Sequence, residues 1–309
     1  MEKRYIGGTD LEVSVVCYGP MRLAQTRQDP KLDLHKRAMH VAIDRGINFI
    51  HSSYEYGVRW MMHDVLKSHP AKHDLLHVIK APVPDWDDNG FDADKLEQIV
   101  DDALRDLCTN RIALVQWMWR CRPHDEQHRL PILNDIHDEV AHAFETLRAK
   151  GKVGHQACFP YFPESASRAM AHPSEEALIV YYNPLEMEMS PVIDTLSDNR
   201  RSFLAIRPLY EGVLTDQFCS HADVPSDHRL SKEKYADAFK TREQLVKAIP
   251  QAAKGMTRFA IRFPLMSANC SSVIVGLNSE EQVLEICDYV EDITPDPVTV
   301  ARVRELAGY

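Results

Sequence analysis

NFIHSSYEYG, Asn48 to Gly57, is a buried strand that runs into a polar turn. Ile47, Phe49 and Ile50 supply the apolar run, and the turn closes on two tyrosines, Tyr54 and Tyr56. The same kind of apolar run recurs along the whole chain. It appears at VSVVCYG (Val13–Gly19), INFIHS (Ile47–Ser52), LLHVIKA (Leu75–Ala81) and IALVQWMW (Ile112–Trp119). It appears again at KVGHQACF (Lys152–Phe159), ALIVYYN (Ala177–Asn183), SFLAIRP (Ser202–Pro208) and SSVIVG (Ser271–Gly276), making eight strand candidates.

Between these runs apolar residues fall three and four apart, the spacing of a helix face. In KLEQIVDDALRDL the face is Leu96, Ile99, Val100, Ala103, Leu104 and Leu107. A later helix carries Ile132, Ile136, Val140, Phe144 and Leu147 and ends at Gly151, which is placed to cap it. Strands apolar on both faces and separated by helices imply a parallel sheet. Eight such units imply a closed (β/α)8 TIM barrel, with its chemistry at the C-terminal ends of the strands. KRYIGGTDLEV (Lys3–Val13) predicts a β-hairpin turning at Gly7–Gly8 that plugs the barrel's other end. Residues 1–309 read as a single barrel domain. CSHADVPSDHR (Cys219–Arg229), after the seventh strand, is the longest irregular stretch and falls on the substrate face.

The bulk numbers narrow the function. A hydrophobic content of 44% with 27% charged residues is that of an ordinary globular protein. The seven cysteines form no CxxC pair and are odd in number, which points to reduced thiols and a cytoplasmic setting. No apolar run reaches the ~18 residues of a membrane span, and MEKRYIGG lacks a signal-peptide core. A net charge of −10 argues against nucleic acid and leaves a small-molecule substrate as the expected partner. Among fifteen histidines there is no HxH or HExxH spacing, so no metal is expected.

With these segments in order, the chain resembles the aldo-keto reductase family nearly from end to end. The resemblance rests on IGGTDLEVSVVCYGPMRL, GINFIHSSYEYG, the lysine of HVIKAP, LRAKGKV, YYNPL, PLYEGVLTDQF and SSVIVGLNSEEQV. It implies a tyrosine that protonates a carbonyl while NADPH gives hydride, helped by a lysine, an aspartate and a histidine. Tyr56 matches the tyrosine and Lys80 the lysine, whose charge is expected to lower the phenol pKa. The aspartate position holds His51 and the histidine position Met118.

The cofactor positions depart as well. Where the family binds the nicotinamide amide with Ser-Asn and a glutamine, this chain has Phe159, Pro160 and Ile179. The stacking aromatic corresponds to Ile206, and Glu280 and Glu281 stand where the family favours a 2′-phosphate partner. Gly212, Leu214, Gly276 and Asn278 are the cofactor contacts that the resemblance preserves. NADP or NAD in a weakened site, or no cofactor, all stay open.

Arg22, Trp86, Met118, Trp119, Arg120, Arg207 and Tyr210 are the expected substrate contacts at a cationic mouth. Arg207 on a strand end suits an anionic group. Arg120 and Arg122 could equally pair with Asp125 and Glu126. His51, kept neutral by Lys80, is a candidate base near Tyr56. The leading expectation is Tyr56/Lys80/His51 acid–base chemistry on a small anionic carbonyl or hydroxyl compound, of isomerase, lyase or dehydratase type. The alternative is an NAD(P)H-dependent carbonyl reductase with a weakened site, and the third is an inactive binding barrel. Monomers and larger assemblies are both compatible with the family.

Overall fold

A computed structural model of the chain describes residues 1–118, 120–122, 124–196 and 200–309. The chain opens with an antiparallel hairpin, β1 (Lys3–Tyr5) and β2 (Glu12–Ser14). Gly7 is required there, because a Cβ would lie 2.6 Å from the Arg200 carbonyl oxygen. Its N–H is donated instead to Ser202 Oγ at 2.8 Å. Ile6, Leu11 and Val13 pack into one cluster with Cys17, Phe49 and Val78 from inside the barrel, so the hairpin is the expected plug.

Eight parallel strands then close a ring. They are β3 (Val16–Gly19), β4 (Phe49–Ser52), β5 (Leu76–Pro82) and β6 (Ile112–Met118). β7 (Val153–Cys158), β8 (Ala177–Tyr181), β9 (Ser202–Ile206) and β10 (Cys270–Gly276) complete it, with Val273 of β10 opposite Val16 of β3. The expected first strand is thus divided. Val13 and Ser14 belong to the hairpin, and the Ser14 N–H is taken by Asn48 Oδ1 at 2.7 Å rather than by a barrel neighbour. β9 ends two residues early, because Arg207 turns into the left-handed region (φ 59°) and Pro208 has no N–H to continue the ladder.

The helices are α1 (Leu32–Asp44), α2 (Arg59–Leu66), α3 (Ala93–Asp106), α4 (Glu126–Ala149), α5 (Pro163–Ala171) and α6 (Ser190–Leu196). After β9 come α7 (Ala236–Ala248), α8 (Pro250–Lys254) and α9 (Met256–Leu265), and after β10 come α10 (Glu280–Tyr289) and α11 (Pro297–Ala307). Strand residues alternate between two cores. Phe49, Val78, Leu114, Ala157, Ile179 and Leu204 fill the barrel, while Ile50, Ile79, Val115 and Val180 lie under the helices. Each such side chain stabilises the fold by ~1.5–3 kcal/mol on burial.

The helix faces shift slightly from expectation. In α3, Leu104 is half-buried and Leu107 lies just past the helix end. In α4, Leu133 takes the inward seat in register with Ile136, Val140, Phe144 and Leu147, which leaves Ile132 half-buried. The loop Cys219–Arg229 is less irregular than its composition suggests. It contains a short 3-10 turn at His221–Asp223 and anchors Val224 beside Tyr235 and Phe239. Among the described residues no helix is long and apolar enough to cross a membrane.

Candidate active site at the mouth of the barrel

β4, β5 and β6 lie side by side, with His51 opposite Val78 and Lys80 opposite Gln116. Strand alternation therefore turns His51, Lys80 and Gln116 inward at the C-terminal end of the barrel. Tyr56 follows on the 3-10 turn after β4, which Ser53 caps by accepting the Glu55 N–H. These residues line a cavity of about 410 Å³. Its wall continues past Tyr181, Ile206 and Arg207 to Gly212, then to Gly276, Asn278 and Gln282.

His51 Nε2–H is donated to Gln116 Oε1 at 2.8 Å. An amide oxygen can only accept, so Nε2 carries the proton and Nδ1 is left as an acceptor. Burial first, then the Lys80 charge, push the His51 pKa down to about 3 in spite of that bond, so the ring is neutral. The His51 and Tyr56 rings are 5.9 Å apart.

Lys80 Nζ sits 4.9 Å above the face of the Tyr56 ring. This overturns one expectation. Burial first, then the Glu55 carboxylate, push the Tyr56 phenol above its ordinary range, and it is held firmly protonated rather than acidified. Burial also pushes Lys80 below its usual value, with Glu55 pulling the other way. Among the described residues Lys80 has no ion pair, and the neutral imidazole of His51 turns to Gln116.

Arg207 is arranged differently. Its Nη2 lies 3.3 Å from Glu186 and 3.6 Å from Glu211. Its guanidinium stacks 5.0 Å from the rings of both Tyr181 and Tyr210. The backbone here is strained, with Arg207, Tyr210 and Glu211 all at positive φ. Gly212, at φ 110°, adopts a conformation only glycine takes readily. Arg229 bonds the Glu211 carbonyl and approaches its carboxylate at 3.4 Å. Tyr210 does not reach the cavity wall; it supports Arg207 from behind.

Several expected contacts lie elsewhere. Arg120 is buried, ion-paired with Glu55 and with Asp85 at 3.2 Å, and stacked on Trp86 at 5.0 Å. Neither Arg120 nor Trp86 lines the cavity. Arg122 pairs with Asp87 at 2.7 Å. Thus both arginines are neutralised, but by acids of the turn after β4 and the loop after β5 rather than by Asp125 and Glu126. Met118 and Phe159 pack in the barrel core. Leu214 is fully buried behind the wall. Trp119 lies outside the described residues. Arg22, Gly212, Gly276 and Asn278 do line the cavity. Among the described residues no group of three His, Cys, Asp or Glu side chains is set to hold a metal ion.

Four contributors escaped the sequence reading: Gln116, Tyr181, Glu186 and Glu211. Gln116 had a signal, being the lone polar residue in IALVQWM. Glu186 and Glu211 had none, because their partner is fixed only by the path of the loop after β9.

A model of the aldo/keto reductase family matches residues 15–307. The chain belongs to the aldo/keto reductase family. L-glyceraldehyde 3-phosphate reductase from Escherichia coli O157:H7 is 24% identical over 186 residues, which are 54% of this chain and 53% of that protein. The chain therefore matches about half the length of that curated relative. Aldo-keto reductase AKR11C1 from Bacillus halodurans shares the fold. Its holo form superposes with a TM-score of 0.78 at 19% identity, covering 99% of this chain and 96% of that one. The apo form gives 0.72 at 17% identity with the same coverage. The barrel of the family is retained.

Proposed function

We propose that this chain is a nicotinamide-dependent reductase of small anionic carbonyl compounds, with Tyr56 as the proton donor. One observation carries the reading. A single cavity joins Tyr56 and Lys80 to the strand ends and the α10 N-terminus on the far side of the mouth, so an acid and an extended cofactor can share one wall. Membership of the family supports it, as do relatives that are named as reductases.

The residues fit the ribose and phosphate part of a dinucleotide. Asn278 Oδ1 is a buried acceptor with no partner among the described residues, and Arg22, Arg229 and Gln282 line the same wall. Phe159, Pro160 and Ile179 offer the carboxamide no side-chain hydrogen bond. Glu280 and Glu281 begin α10 and disfavour a 2′-phosphate, so NADH is favoured over NADPH. When bound, the nicotinamide supplies the hydride.

The chain's own residues do the rest. The Tyr56 hydroxyl makes no hydrogen bond to the described residues, so its proton is available to a substrate oxygen. Lys80 and Arg22, both without a counter-ion among the described residues, hold the substrate's carboxylate or phosphate. The phosphorylated aldehyde in the name of the Escherichia coli relative is one compound of this class. His51 stays neutral and adds no competing charge.

The second reading, cofactor-free isomerisation or elimination, is favoured by one observation. Neutral His51 leaves a bare Nδ1 close to Tyr56. NADH oxidation with a panel of charged and neutral aldehydes and 2-oxo acids separates the two. Turnover confined to charged carbonyls, and lost in Tyr56→Phe, supports the reductase. Absence of NADH oxidation with the whole panel refutes it.

A further inference from the structure

The floor of the cavity holds one donor that the proposed chemistry leaves unused. Gln116 on β6 is 0% exposed and lines the cavity. Its Oε1 accepts the His51 Nε2–H at 2.8 Å, while its Nε2 is buried with no partner among the described residues. Leaving a buried amide N–H unmet is costly, so an acceptor has to come from the cavity itself.

Register sets a second donor beside it. Lys80 of β5 pairs with Gln116, and strand alternation turns both side chains into the cavity that both line. Two adjacent donors, one neutral and one with a single positive charge, suit an acceptor-only group of one negative charge. A carboxylate meets them with one oxygen each. A phosphate dianion would bring a second charge that this floor does not match, because Arg22 is exposed and Arg207 is shared between two acids.

Position narrows the ligand further. Lys80 Nζ is 4.9 Å from the centre of the Tyr56 ring, so the proton donor and the charge holder stand one small group apart. A carboxylate held there lies beside the carbonyl that Tyr56 serves, as it does in a 2-oxo acid. We infer that Gln116 is a specificity residue for 2-oxo carboxylates, its amide N–H donating to the carboxylate oxygen that Lys80 leaves free. For the reaction this rests on the reductase reading, and for binding it does not.

Oxamate, a planar analogue of a 2-oxo acid, is the probe, titrated by calorimetry with and without NADH. It should bind at least about tenfold more tightly than inorganic phosphate, and Gln116→Glu should weaken it by about tenfold or more. That variant keeps an oxygen to accept the His51 N–H and replaces the donor with a second acceptor. Phosphate binding as tightly as oxamate, oxamate binding unchanged by the variant, or no oxamate binding in either condition overturns the inference. In turnover, Gln116→Glu should raise KM for a 2-oxo acid about tenfold and leave KM for an uncharged aldehyde within about twofold. Equal losses with both substrates would make Gln116 a support for His51 alone, and would overturn it too. Should Gln116→Glu fail to fold, the oxamate and phosphate affinities of the unaltered protein still decide. Oxamate binding without NADH oxidation would refute the reductase and leave this assignment standing. NADH oxidation with no preference for 2-oxo acids would do the reverse.

Discussion

Lys80 and Arg207 line the same cavity, yet one is a free cation and the other is not. Lys80 has no counter-ion among the described residues and rests on the face of a single ring. Arg207 touches two carboxylates and two tyrosines. A count of cations would rate the two alike. Only the unpaired one can gain a full charge partner from a ligand, because Arg207 must share whatever it binds with Glu186 and Glu211. The β4–β5 side of the mouth is thus the side prepared for an anion. The β9 side is a braced wall, and its strained turn is held by those same ion pairs.

The largest expected effect falls on the β4–β5 side. Tyr56→Phe should lower kcat by about 10²–10⁴-fold with little change in melting temperature, since the hydroxyl makes no structural bond. A drop below tenfold would show that another group supplies the proton. Next, Lys80→Met should weaken binding of an anionic substrate by roughly tenfold to a hundredfold, read as Kd or KM. Arg207→Met should change that affinity less than about threefold, and should instead lower stability by about 1–2 kcal/mol as Glu186 and Glu211 lose their partner. The reverse ordering would break the contrast between the two sides.

The contrast can also be read through pH. His51 and His77, on the β4–β5 side, are held down to about 3 and about 4 in the fold, against about 6.5 when unfolded. Between pH 6.5 and 4 the unfolded chain takes up these protons and the folded chain does not. Stability must therefore fall as the solution is acidified, by about 1.4 kcal/mol per pH unit for each group. Denaturant titrations at pH 7 and pH 5 would show this, and the dependence should be shallower in His77→Phe. The smallest effect belongs to Glu211→Gln. Releasing one carboxylate from Arg207 and Arg229 should tighten anion binding about threefold, and weaker binding would mean that Glu211 orients rather than competes.

The barrel was legible because it rests on periodicity. Eight apolar runs with helical patterns between them leave few alternatives; the strand ends were less legible, by two residues at the start of β4 and the end of β8 as well as at Ser14 and at Arg207 before Pro208. Tyr56, Lys80 and His51 were legible because each sits on or just after a strand whose face is set by alternation. Their partners were not. The acids on Arg120 come from Glu55 and Asp85, far away in sequence, while the neighbours Asp125 and Glu126 turn elsewhere. Likewise the tyrosine–lysine pattern implied an acidified phenol. In the fold, burial and the Glu55 carboxylate dominate instead.

Titration of the purified protein with NADH and with NADPH, followed by tryptophan fluorescence and checked by calorimetry, tests the central claim most directly. Binding of NADH in the micromolar range, tighter than NADPH, is the expected result. NADPH binding the more tightly would contradict the role given to Glu280 and Glu281. No binding of either up to millimolar concentration would contradict the reductase itself.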